Sequence, residues 1–141
     1  LLDQHTFECR WATVEALANY RQTGLKIELF YFLPIGWLNR AILVTKRNHA
    51  AIEAWWGRPD WERLVDMQHH EKAISFRDRF LELGYKYVLP LPILDRERGD
   101  RVMFYMILAT DHEAAPKLMW RAYDQAVPDT KGWDQLEIGG L

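Results

Sequence analysis

The stretch that most constrains the fold is IELFYFL, residues 27–33, in which Glu28 is the only charged side chain. A run of this length and composition is typical of a strand buried on both faces, as in the parallel sheets of α/β proteins. Pro34 and Gly36 follow the run and predict its end. Such a strand needs a substantial core around it. The 49% of hydrophobic residues in the 141-residue chain can supply that core.

Two more strands are predicted in the second half of the chain. Residues 85–93 (YKYVLPLPI) and 101–110 (RVMFYMILAT) flank the polar segment LDRERGDR, and this pattern predicts an antiparallel hairpin. Proline has no backbone N–H to donate to a neighbouring strand. Pro90 and Pro92 therefore indicate that the first strand of the hairpin lies near a sheet edge.

Helical patterns separate the predicted strands. Trp11, Val14, Leu17 and Ala18 recur at spacings of three and four and predict a helix over residues 11–23, with Gly24 as the residue that ends it. Further helices are predicted over residues 48–56, from Asp60 onward, over 71–83 and over 113–127. The side chains expected to cap the first, second and last of these are Asn48, Asp60 and Asp111. The residues expected to face the core in the last two helices are Ile74, Phe80, Leu81, Leu83, Leu118, Met119, Ala122 and Tyr123.

The order of these elements predicts an α/β fold. Leu1, Leu2 and Asp3 are typical of the end of a buried strand, so the series is strand end, helix, buried strand, helices, hairpin and helix. A hairpin added to a parallel sheet is also how the common methyltransferase sheet ends, which is an analogy between folds. We expect one domain over residues 1–127 and a polar tail over residues 128–141.

Composition excludes few classes of function. A formal net charge of −2 gives no strong electrostatic footprint for nucleic acid or an anionic membrane. A single cysteine, Cys9, allows no internal disulfide and no cysteine-based zinc site, which agrees with a reducing, cytoplasmic location. The sequence shows no signal peptide and no apolar run of about 18 residues, so we expect no membrane partner.

Three segments of the chain resemble the three-Cys-motif partner family, a group of methyltransferase-like proteins. The segments are LLDQHTFECRWATVEALA, FYFLPIGWLNRAI and FYMILATDHEAAPKLMW, and together they extend over most of residues 1–127. The resemblance implies that Leu1 and Leu2 end the fourth strand of a Rossmann-like sheet. It also implies that the first three strands, with the Gly-rich turn that holds S-adenosylmethionine, lie upstream. On this view the chain is the C-terminal half of the fold, ending in an antiparallel hairpin and a helix.

The resemblance also implies site residues. In the family the first segment ends in Asp, Pro, an aromatic residue and Gly, whereas here Gln4-His5-Thr6-Phe7 follow Asp3. Asp3 would orient a substrate amine for attack on the methyl group of S-adenosylmethionine, and Phe7 would stack on the substrate. In the segment PIGWLNR, which we expect to be a loop at the same sheet edge, Trp37 would stack while Asn39 and Arg40 hold a phosphate or a base edge. The alternatives are a carboxylate that caps a turn, and a loop whose Asn caps a helix while its Arg pairs locally.

Other polar or aromatic clusters have simpler interpretations. His69 and His70 are adjacent, so on a helix they point about 100° apart and do not share a metal ion; we expect no metal. Trp55, Trp56 and Trp61 are more typical of a core or a protein contact than of a stacking platform for single strands. We expect one of the adjacent pair to lie at a rim or a contact.

Two functions follow from the sequence. The first is part of an S-adenosylmethionine-dependent methyltransferase-like protein that acts on an amine, with nucleic acid as one candidate substrate. It would be active only when an upstream half completes it. The second is a non-catalytic module that binds a partner protein. The altered turn after Asp3 favours the second.

Overall fold

A computed structural model describes residues 1–2, 7–44, 49–95, 97, 99 and 101–127. The helices and strands are α1 (Trp11–Ala18), β1 (Leu29–Leu33), α2 (Ile35–Val44), α3 (His49–Trp56), a 3-10 turn (Pro59–Glu62), α4 (Arg63–Asp66), α5 (His69–Glu82), β2 (Tyr87–Asp95), β3 (Arg101–Thr110) and α6 (Ala115–Ala126). The mixture of helices with a small sheet confirms the α/β class. The predicted cap at Asn48 and the predicted tail over residues 128–141 lie outside the described residues.

The described sheet has three strands in the order β1-β3-β2, and β3 is antiparallel to both neighbours. The two outer strands therefore run parallel to each other. The predicted hairpin is confirmed as β2 and β3, with an irregular register between Ile93 and Leu94. The predicted edge position of the proline-containing strand is confirmed as well, since β2 has β3 as a neighbour on one side only in the described sheet.

Leu2 extends this sheet on the side of β1 that faces away from β3. It forms a parallel bridge with Tyr31, in which its N–H donates to the carbonyl of Phe30 (2.7 Å) and its carbonyl accepts the N–H of Phe32 (3.0 Å). Leu2 is thus paired with β1 through a single bridge, as a strand end would be, but the predicted burial is wrong for Leu1, whose side chain is 80% exposed.

The main core lies between one face of the sheet and helices α1, α3 and α5. Along β1, Leu29, Tyr31 and Leu33 are buried in this core, while the alternate residues Phe30 and Phe32 are half-buried on the other face. This alternation follows from the two-residue period of a strand. The continuous apolar run predicted a strand buried on both faces. That prediction is wrong for the second face, which is only half-buried.

Helix α1 buries the face that its periodicity predicts. Trp11, Val14 and Ala18 are buried, and Leu17 packs against the core at its margin. The helix ends at Ala18, five residues before the predicted end, so Gly24 is not its terminating residue. The side chains after Ala18 are exposed as far as Leu25, and without apolar residues to bury, the helix gains nothing by continuing.

Helix α5 packs only part of the predicted set. Phe80 is buried and Leu83 packs against the core as predicted, whereas Ala73 and Phe76 were not predicted. It begins at His69, where the Glu71 carboxylate accepts the backbone N–H of Gln68 (2.6 Å), and its core face is centred on Ala73, Phe76 and Phe80. Leu81, predicted to face the core, is 41% exposed, because it lies about 100° around the helix from Phe80.

The second face of the sheet is covered in part by α6. Tyr123 packs against Leu89, Leu91 and Leu108, and its hydroxyl donates to the carbonyl of Pro92. Leu118, which was predicted to face the core, is 61% exposed. The correction has a simple cause: α6 contacts the sheet through the side that carries Tyr123, and Leu118 lies outside that contact.

In the described part of the chain no helix has both the length and the apolar character needed to span a bilayer. The longest helix there, α5, has 14 residues, whereas a spanning helix needs about 20.

Candidate functional site

The candidate site from the sequence lies at the sheet edge where β1 ends. Leu2 and β1 are parallel, so both segments run toward this edge, and ligands in open α/β sheets bind at the carboxyl ends of such strands. The prediction that the segment PIGWLNR forms a loop is wrong. Helix α2 begins at Ile35, two residues after β1, and the N–H of Leu38 donates to the carbonyl of Pro34 (3.1 Å). A proline at the start of a helix loses no hydrogen bond, so the helix can follow the strand directly.

The predicted substrate-binding residues of this segment therefore lie on the first turns of a helix. Trp37, Asn39 and Arg40 all belong to α2, and Arg40 is exposed. The side chains of Trp37 and Asn39 are outside the described part of the structure. Asp3 lies in residues 3–6, which are outside it as well. The roles assigned to these four residues remain predictions.

Phe7, the predicted stacking residue, packs beside the main core. Its side chain is half-buried, and its ring lies edge-on to that of Trp55, with 5.1 Å between the ring centroids. This contact accounts for one side of the ring. A stacking role for Phe7 stays a prediction.

The tryptophan cluster is part of the core. Trp55 and Trp56 are each 1% exposed and Trp61 is 8% exposed, which excludes their use as a stacking platform and confirms the packing interpretation. The expectation that one of the adjacent pair would lie at a rim is wrong. The 3-10 turn after α3 folds back over Trp56, whose indole N–H donates to the Asp60 carboxylate (2.7 Å).

Asp60 therefore has a different role from the predicted helix cap. It lies within the 3-10 turn, where its carboxylate accepts hydrogen bonds from Trp56 and from Arg63. The bond from Trp56, followed by the bond and charge of Arg63, lowers the pKa of Asp60. The carboxylate thus fixes the turn against α3.

Asp111 is not a helix cap either. Helix α6 starts at Ala115, and the Asp111 carboxylate accepts the backbone N–H groups of Lys26 (3.2 Å) and Lys86 (3.0 Å) instead. Lys26 precedes β1 and Lys86 precedes β2, so one side chain at the end of β3 ties together the entries to both neighbouring strands. Nearby, the hydroxyl of Tyr85 donates to the carbonyl of Ile27 (2.7 Å). Burial and the charge of Asp111 raise the pKa of Tyr85 to about 12.

The histidine pair lies at the start of α5, where His69 is half-buried and His70 is exposed. Burial, together with the positive charge of Lys72, lowers the pKa of His69. Among the described residues, no three His, Cys, Asp or Glu side chains group so that they could hold a metal ion. Burial also raises the pKa of Cys9, which makes its thiol a poorer nucleophile.

Sequence patterns missed Arg79. This residue lies on α5 and is 5% exposed, with its guanidinium carbon 4.5 Å from the ring centroid of Trp11 and 5.4 Å from that of Trp56. It donates to the carbonyl of Trp56 (3.2 Å) and to the Glu82 carboxylate (3.3 Å). The available signal was an arginine at helical spacing from Phe76, on the face that enters the core.

Comparison of the chain with protein-family models, with curated proteins and with solved structures finds no match.

Proposed function

We propose that residues 1–127 form the C-terminal part of a methyltransferase-like sheet, and that the protein transfers a methyl group from S-adenosylmethionine to an amine, with nucleic acid as the substrate class. The observation that carries the proposal is the arrangement of the strands. Leu2 is parallel to β1, and the final strand β3 lies antiparallel between β1 and β2. A parallel sheet that ends in an antiparallel hairpin is what the family resemblance implies.

The connections between the strands support the same proposal. Helix α1 joins Leu2 to β1, and helices α2 to α5 join β1 to β2, so each parallel pair is linked through helices. Parallel strands require such crossovers, whether or not they are neighbours, because a tight turn joins only antiparallel strands. Within the described residues, the helix α6 follows β3, as the resemblance implies.

On this proposal the reaction occurs at the edge toward which Leu2 and β1 run. S-adenosylmethionine would supply an electrophilic methyl group, held mainly by residues other than these 141. The Asp3 carboxylate would accept a hydrogen bond from the amine and so orient its lone pair. Arg40, exposed on α2, would attract a phosphate of the substrate, and Trp37 and Asn39 are the other predicted substrate-binding residues of this segment.

The proposal is tested with protein expressed from the complete natural gene. Binding of S-adenosylmethionine is measured by equilibrium dialysis, and transfer of a radiolabelled methyl group is measured on pooled RNA and DNA. We expect Asp3→Ala to reduce methyl transfer at least 100-fold and to change cofactor binding less than threefold. Glu113→Ala serves as the control. This carboxylate is exposed and follows β3 at the sheet edge opposite to the one toward which Leu2 and β1 run. Undiminished transfer by Asp3→Ala, or absence of cofactor binding by the natural protein, would refute the proposal.

A further inference from the structure

The second face of the sheet, opposite to the main core, is covered unevenly. On the central strand β3, Leu108 is 2% exposed and packs with Tyr123 of α6, whereas Phe104 and Met106 on the same face are half-buried. Between them, Tyr105 faces the main core and is 1% exposed. The cover of the second face therefore decreases from the end of β3 toward its start.

The half-buried side chains of this face form a contiguous apolar patch. Met106 is paired with Phe32 of β1, and Phe104 is paired with Ile93 of β2. The rings of Phe32 and Phe104 are in contact, with 4.3 Å between their centroids. These four residues, all half-buried, are called the apolar patch below. Contiguous apolar side chains that remain open to solvent are typical of a surface that packs against another segment.

Helix α6 directs the chain toward the apolar patch. It begins at Ala115, after the end of β3, and the hydroxyl of Tyr123 donates to the carbonyl of Pro92, which is paired with Tyr105. The helix thus runs back along the sheet toward the start of β3. Val127, which follows the helix, packs against the same apolar cluster as Tyr123. The chain therefore leaves α6 on the second face, at the level of the patch.

The segment after Val127 has the composition and the length to cover the patch. Residues 128–141 (PDTKGWDQLEIGGL), expected from the sequence to be a polar tail, also carry Trp133, Leu136 and Ile138. An extended segment of this length spans up to about 46–50 Å, whereas the 10 residues of β3 span about 33 Å. Because the segment is tethered at Val127, its effective concentration at the patch is on the order of millimolar, which favours it over a separate partner.

We propose that residues 128–141 bind the apolar patch of their own molecule, with Trp133 packed against Phe104 and Met106. Burial of the indole and of both side chains removes apolar surface from water, and the aromatic rings add favourable edge-on or offset contacts. The bound segment blocks the patch against a second copy of the chain. This contact uses none of the residues assigned to methyl transfer, and it does not depend on that proposal.

The test uses methionine methyl groups as NMR probes in the natural full-length protein, labelled with ¹³C-methyl methionine and assigned through Met→Leu variants. A spin label is attached at Gln135→Cys, in a protein in which Cys9 and any further cysteine are replaced by serine. With the label oxidised, we expect the Met106 signal to fall at least twofold relative to the reduced label. Met67, which packs against the main core on the other side of the sheet, should keep its intensity.

Two variants in the segment test whether Trp133 anchors it. Trp133→Ala is expected to restore the Met106 signal at least twofold, whereas the matched control Lys131→Ala, at a polar position of the same segment, should leave the loss unchanged. A mixture of ¹³C-labelled protein without spin label and spin-labelled protein without ¹³C reports only contacts between molecules. In this mixture we expect no loss of the Met106 signal. Circular dichroism and thermal unfolding verify that all variants fold.

Three outcomes would overturn the inference. A Met106 signal that is equal with oxidised and reduced label means that the segment lies away from the patch. Equal losses for Met67 and Met106 mean that the segment has no preferred site on the sheet. A loss of the Met106 signal in the mixed sample as large as in the doubly labelled protein means that a second copy covers the patch. Cofactor binding and methyl transfer are measured separately, so failure of one proposal is distinguishable from failure of the other.

Discussion

Replacement of Gly57 by alanine is the perturbation whose effect the structure predicts most directly. Gly57 ends α3 with φ = 78°, a conformation that costs an L-residue about 1–2 kcal/mol. A Cβ at this position would also lie 2.6 Å from the Cβ of Trp11 and 2.7 Å from its Cγ and Cδ1. Carbon atoms do not approach so closely, so the indole would have to move.

Trp11 has little room to move. Its ring lies against Phe80, with the centroids 5.2 Å apart, and against the guanidinium of Arg79 at 4.5 Å. Forcing extra volume into a packed core costs about 1–3 kcal/mol. Together with the backbone term, and after subtracting about 0.4–1 kcal/mol for the stiffer unfolded chain, we expect Gly57→Ala to lower the free energy of unfolding by about 1–5 kcal/mol, with a central value of about 3 kcal/mol.

Gly24→Ala is the matched control. Gly24 has φ = 80°, almost the same backbone conformation, but a Cβ there would meet no atom within 4 Å. Only the backbone term remains, and the expected loss is about 1 kcal/mol. Urea unfolding followed by tryptophan fluorescence and circular dichroism measures both values. Equal losses for the two variants would refute the claim that contact between Gly57 and Trp11 governs this site. In a double-mutant cycle, Trp11→Ala should reduce the penalty at Gly57 to that at Gly24.

Two further predictions concern polar groups. Asp111→Ala should lower the free energy of unfolding by about 1–3 kcal/mol, because the backbone N–H groups of Lys26 and Lys86 lose their acceptor. Thermal unfolding measures this loss, and a loss no larger than that of the exposed control Glu113→Ala would contradict the prediction. Burial lowers the pKa of Lys72 in the folded protein below its ordinary value of 10.5. Between the folded pKa and the unfolded pKa, the unfolded chain therefore binds more protons than the folded chain. The free energy of unfolding should rise with pH across that window. Lys72→Met should remove this rise whereas Lys86→Met, at an exposed position, should keep it; identical pH profiles of unfolding free energy for both variants would show that Lys72 is not the cause.

Local features of the structure could be predicted from the sequence because their causes are local. The hairpin follows from two apolar runs around a polar turn, and the edge position of β2 follows from Pro90 and Pro92, which have no N–H to donate. The ends of α3 and α5 follow from Gly57 and Gly84, both of which have positive φ.

The candidate site was less predictable. The pairing of Leu2 with β1 agrees with the predicted edge, but the residues from Pro34 to Arg40 form a helix start and not a loop. Apolar side chains at Ile35, Leu38 and Ile42 are all buried, and their helical spacing was the signal that PIGWLNR continues as α2.

By itself, the sequence determined the three strands, most of the helices and where several of these elements stop, since periodicity, proline and glycine act within a few residues. Only the tertiary structure decided which groups each polar side chain hydrogen-bonds. Asp60 and Asp111 precede predicted helices as caps do, yet one accepts from Trp56 and the other from two strand entries. Both Trp55 and Trp56 are buried because both rings pack against Phe76 of α5, and the 3-10 turn also provides an acceptor for the indole N–H of Trp56. Such choices depend on which distant segments pack together, and a pattern along the chain does not contain that information.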